Sequence, residues 1–216
     1  MSVLRSSITA LVLVAAITMP VHATVTTSGD LWDPFGPLPP GNQPDPWMSP
    51  HLDIGFLGDG ALQVAAGGQV ATNDGAALGF TDFLTGWVPF TGTATVTGFG
   101  SKWEIKNNLS VGEMGIGILN VENGGSVDSF NAFGILGNTD FGSGTATVTG
   151  VFSTWLNVSS LMVAYDGSGT LNVEAGGLVS SGEGHIGNSW PGLPLSTGTA
   201  TVTGTGSWWS NTHGLT

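Results

Sequence analysis

The chain has no cysteine, one tyrosine, and three Lys or Arg side chains against fifteen Asp or Glu in 216 residues. Without cysteine there is neither a disulfide framework nor a thiolate metal site, so hydrogen bonds and apolar packing must supply the stability. So few cations exclude nucleic acid and anionic membrane surfaces as partners. The four histidines, His22, His51, His185 and His213, sit in no His-x-His pattern, and no Gly-x-Ser-x-Gly elbow occurs. Neither a metal centre nor nucleophilic hydrolysis is therefore expected, and no cofactor is called for. Ile8 to Met19 is apolar but too short to span a bilayer.

That stretch has another reading. Arg5 precedes it and Val21-His22-Ala23 comes after it, so residues 1–23 resemble a secretory signal peptide cleaved after Ala23, with a retained N-terminal anchor as the alternative. Cleavage leaves Lys102 and Lys106 against fifteen acids, a net charge of −13. Residues 24–53 hold seven of the eleven prolines, with Trp32, Phe35 and Trp47 among them. Prolines at this density argue against regular ladder pairing, so the segment is either a linker or a cap whose aromatics cover the first coil of a domain starting at residue 54.

What the chain has in abundance is repetition. TGTATVTG stands at 91–98 and 197–204, with SGTATVTG at 143–150, each leading into a phrase that ends in a tryptophan: GFGSKW, GVFSTW and GTGSWW. A second phrase alternates with the first: GALQVAAGGQV at 60–70, GILNVENGGSV at 117–127 and GTLNVEAGGLV at 169–179. Laying Val96 over Val121 puts Gly100 on Gly125, Ser101 on Ser126, Val111 on Leu136 and Gly112 on Gly137, all at a shift of 25. The unit is thus a half-repeat of about 25 residues, within the range of stacked architectures. Alternation with period two, bounded by glycines, makes each unit strands rather than helix.

One unit cannot bury its apolar face alone, whereas coil stacked on coil builds a continuous core. The expected fold is all-β, a parallel β-helix of about six coils over residues 54–216, the last incomplete. Val64, Val96, Val121, Val148, Val173 and Val202 form its inward column, beside Leu62, Ala94, Leu119, Ala146, Leu171 and Ala200. Four positions beyond the valines stand Gly68, Gly100, Gly125, Phe152, Gly177 and Gly206; Phe152 alone departs. The repeat tryptophans Trp103, Trp155 and Trp209 either form an outward aromatic strip or fill the rungs whose partner is alanine; alternating large and small residues favours inward.

Glu122 and Glu174 come directly after the valine column and are separated by the coil carrying Thr149, two rungs or about 9.6 Å apart. That spacing is near the separation of paired glycosidase carboxylates, but the period places both on the solvent side, as a ladder. Gly58-Asp59-Gly60 and Asp166-Gly167-Ser168-Gly169 resemble calcium loops, yet turn chemistry accounts for them. The insertions 81–90 and 188–196 lie on one edge of the stack, where insertions carry contacts.

The pairing of G-x-G-x-L-x-V-x-x-G-G-x-V with G-T-A-T-V-T-G-x-G-S-x-W, through Gly117, Gly124, Gly125, Val127, Thr145, Ala146, Val148 and Trp155, resembles the type V secretion/PEP-CTERM-associated repeat. The resemblance covers residues 54–216. It implies an exported bacterial protein at the cell surface or outer membrane, an autotransporter-like β-helical stalk or adhesion module, non-enzymatic, with a surface glycan or protein as partner. A carbohydrate-binding or polysaccharide-degrading enzyme on the same scaffold is the competing reading. Thr216 falls inside the sixth coil, so its open edge beside Ala200, Val202 and Trp209 is expected to be continued by further chain or to self-associate.

Overall fold

The computed structural model describes residues 22–82, 86–130, 133–187 and 196–216. The expected signal segment, apart from His22 and the exposed Ala23, lies outside the described residues, as do 83–85 and 188–195 of the two insertions. Among the described residues there is no helix. The chain winds as stacked parallel coils, a β-solenoid of about six turns.

Each coil has three sides. The first consists of Gly60–Ala65, Thr91–Thr97, Ile116–Glu122, Ser143–Thr149, Ser168–Glu174 and Thr197–Thr203, paired in parallel and in the expected register, Val64 to Val96 to Val121 to Val148 to Val173 to Val202. β-Branched residues on alternate positions suit a pleated surface with one face buried, and the burial keeps that period. The first five valines are 0% exposed; Val202, on the open last coil, is 47% exposed.

The second side shows why the tryptophans recur. Trp47, Val70, Trp103, Val127, Trp155, Val179 and Trp209 are successive partners across the ladder, so large and small residues alternate coil by coil. The opposing column runs Leu62, Ala94, Leu119, Ala146, Leu171, Ala200. Every tryptophan coil of the repeat carries alanine and every valine coil carries leucine, which fills one cross-section at constant width. Trp103 and Trp155 point inward and are fully buried, while Trp209 is half-buried at the open end.

The uniform shift of 25 needs correcting within the turn. Thr97 pairs Glu122, but Lys102 pairs Ser126, so Ser101 does not lie on Ser126. Residues 98–101 occupy four positions where 123–125 occupy three. The additional residue is a serine with a purpose: Ser101 Oγ accepts a hydrogen bond from Gly67 N (2.9 Å), Ser153 Oγ from Gly124 N (3.0 Å) and Ser207 Oγ from Gly176 N (3.0 Å). Each serine clasps its coil to the one before it, satisfying a turn amide that the ladder leaves over.

The glycine slot four residues after the valines is consequently two slots. A Cβ on Gly125 would lie 2.3 Å from the Val96 carbonyl oxygen, so closeness demands glycine there. Gly100 and Gly206 instead adopt φ +84° and +81°, and Phe152 holds the same place at φ +69°. A bulky side chain in the left-handed region costs about 1–2 kcal/mol. Phe152 is 69% exposed, with only an edge contact to Phe99 at 6.5 Å to offset this. Phe152→Gly is therefore expected to stabilise the stack by about 1 kcal/mol, raising the thermal midpoint by about 2–4 °C in a scanning calorimeter.

The proline-rich segment is a cap, and it pairs more regularly than its composition suggests. Thr24–Gly29 lies antiparallel on Gly60–Ala65, with Val25 opposite Val64 and 1% exposed, so it closes the valine column. Trp47–Ser49 and Leu52–Ile54 then run parallel to Gln69–Thr72 and Ala76–Leu78. The ladder survives because Pro46 and Pro50 flank Trp47–Ser49 instead of interrupting it.

Candidate functional site

The third side of the coil is short, and its brevity creates a hollow. Leu52–Ile54, Ala76–Leu78, Leu109–Val111 and Gly134–Leu136 stack in parallel. In a three-residue strand the outer two positions share a face, so Leu52, Ile54, Leu78, Leu109 and Val111 enter the core. The central residues Asp53, Ala77, Ser110 and Ile135 make the outward column. Ala77, Ser110 and Ile135 are nevertheless only 6%, 5% and 8% exposed, because the turns on either side rise above them.

The result is an open hollow of about 450 Å³ lined by residues of four successive coils. His51, Asp74, Asn107 and Asn108 stand on the turns preceding these strands; Phe80, Glu113 and Asn138 stand on the turns after them. Asn107 Nδ2 donates to Asp74 Oδ1 (2.9 Å), and Asn138 Nδ2 lies 3.0 and 2.9 Å from the two Glu113 carboxylate oxygens. Asn108 Oδ1 accepts from Phe133 N (3.0 Å). Ser110 Oγ, at the centre of the floor, has no partner.

His51 Nε2 lies 3.0 Å from Asp53 Oδ1, and that hydrogen bond raises its pKa above the ordinary 6.5. Burial opposes the shift, while the charges of Asp53, Asp74 and Glu113 add to it. Because the folded pKa is the higher one, the pair's stabilisation is complete below pH 6.5 and is lost as pH rises through the folded value. An NMR titration of His51 is expected to show a midpoint above 6.5 that moves down in Asp53→Asn.

Glu122 and Glu174 are in register on either side of Thr149, half-buried on the outward side of the first face, and neither lines this hollow. Inward packing of Trp103 and Trp155 removes the outward aromatic strip. Trp208, next to Trp209 in sequence, is 65% exposed. It shares an outward column with Lys102, Ser126, Thr154 and Leu178, of which all but Lys102 line a second hollow of about 620 Å³. Lys102 is held by Glu104 (2.5 Å) and Asp128 (2.9 Å), which raise its pKa. Among the described residues no three His, Cys, Asp or Glu converge to hold a metal ion. Asp59, of the first calcium-like turn, accepts from Thr91 N of the next coil (2.7 Å).

Neither hollow was visible in the sequence as a site. The Val111-to-Leu136 alignment located the third side, but three-residue strands are too short to display their alternation. No family model, curated protein or solved structure matches the chain.

Proposed function

We propose that the chain is an exported β-helical repeat protein serving as a stalk or surface-interaction module, as its resemblance to type V secretion/PEP-CTERM-associated repeats implies. The observation that carries this reading is the uninterrupted stack: columns continuous through six coils, closed at one end by Thr24–Gly29. At about 4.8 Å per rung, six coils make a rod about 25 Å long whose faces present side chains at fixed intervals. Such a body is suited to holding and displaying surfaces, and its acidic charge keeps it soluble outside the cell.

The strands Thr197–Thr203 and Trp208–Leu215 leave an edge that a second copy or further coils would pair with, beside the 54% exposed Leu215. The test is expression of the full gene in a Gram-negative host, with fractionation and N-terminal sequencing of the product. Protein beginning at Thr24 and open to protease added to intact cells is expected. Cytoplasmic protein beginning at Met1 overturns the reading.

A further inference from the structure

We propose that the hollow over Asp53, Ala77, Ser110 and Ile135 binds an extended, uncharged glycan chain lying along the axis of the stack. This deepens the surface-interaction reading by giving that surface a ligand class.

The strongest indication is Ser110. Its hydroxyl is buried in the floor with nothing to bond to, an arrangement that costs free energy unless an occupant supplies the partner. Around it the lining holds both kinds of polar group that a sugar hydroxyl needs. Asp74 accepts one amide through Oδ1, which leaves Oδ2 for a ligand donor; Asn108 spends its oxygen on Phe133 N, which leaves its amide hydrogens to donate. Ala77 and Ile135 in the floor and the half-buried Phe80 on the wall supply apolar area for the C–H face of a ring.

Charge decides between ligand classes. No Lys or Arg lines the hollow while Asp53, Asp74 and Glu113 do, so phosphorylated, sulfated and uronate polymers are repelled. The three acids do not converge on a point, so a metal ion is not the occupant. Asp53 is matched by His51, while Asp74 and Glu113 keep their charge beside the neutral amides of Asn107 and Asn138, so a cationic peptide is the competing occupant, disfavoured by the apolar floor and tested by the polylysine probe. Neutral hydroxyls need only the remaining lone pairs. The hollow also crosses four rungs, about 14 Å, which suits a linear chain better than a single sugar.

Calorimetric titration of the purified chain with cellotetraose, maltotetraose and N-acetylchitotetraose tests this, with tetragalacturonate and a short polylysine as charged probes. At least one neutral tetrasaccharide is expected to bind, and neither charged probe. Ala77→Phe, which fills the floor, should abolish binding, and Ser110→Ala should weaken it about tenfold. Leu178→Ala, on the second face, should leave it unchanged. Thermal midpoints of all three variants show whether each is folded, and Ser110→Ala, which removes one unpaired atom, is the variant to rely on if Ala77→Phe fails to fold. No binding by any neutral probe at millimolar concentration overturns the proposal, as does binding indifferent to Ser110→Ala, or capture of polylysine instead. Failure here leaves export untouched, since N-terminal sequencing reads that separately.

Discussion

Val121→Asp is expected to destabilise the stack by about 4 kcal/mol, the cost of an unpaired carboxylate where no water or cation can reach it. Val121 is fully buried between Val96 and Val148, which are fully buried themselves, so the introduced group has only apolar side chains beside it in its column. Thr147→Asp, one rung away on the outward side of the same face, is the matched control and should cost less than about 0.5 kcal/mol. Urea denaturation at neutral pH measures both. The gap between them should shrink as pH falls, because burial raises the pKa of the introduced carboxyl and protonation removes its charge. Equal effects at neutral pH would contradict the assignment of faces.

The second large effect concerns Trp155. Truncation to alanine removes a fully buried indole from a rung whose opposing residue, Ala146, is already small, so nothing nearby can fill the cavity. A loss of about 3–5 kcal/mol is expected. Trp155→Phe should cost much less, for a reason specific to this site. Trp155 Nε1 is buried without a partner, as is that of Trp103, so phenylalanine gives up packing but also removes an unsatisfied donor. A double replacement, Trp155→Val with Ala146→Leu, copies the composition of the alternate coils and should recover part of the alanine variant's loss. Denaturation midpoints of the three variants rank them, and no recovery in the double replacement would mean that the two columns do not share one volume.

Much of this was legible in the letters because the repeat is strict where the core is. The valine column, the Leu/Ala alternation and the Glu122-Thr149-Glu174 register come from period two and the recurring phrases, and the first face keeps that register without a bulge although the spacing between successive valines varies with the loops. Legibility failed where local closure competes with periodicity. The four-residue turn at 98–101 resembled the three-residue turn at 123–125 because both offer glycine and then serine, and only the pairing of Lys102 with Ser126 separates them. The cap was obscured by its prolines, since composition does not say that Pro46 and Pro50 flank Trp47–Ser49. The hollow was hidden because Ala77 and Ser110 are ordinary residues whose meaning comes from the turns around them.

The serine clasps and the alternating columns together fix a rule of growth. Ser101, Ser153 and Ser207 tie the second coil to the first, the fourth to the third and the sixth to the fifth, and each tied pair holds one tryptophan coil and one valine coil. Recombination that duplicated or deleted one coil would set tryptophan against tryptophan, or leave a turn amide facing a turn with no serine. A change of two coils restores every contact. Length variants of this gene should therefore differ by multiples of about 52 residues, each adding about 9.6 Å of rod, with single-coil variants purged because they cannot pack.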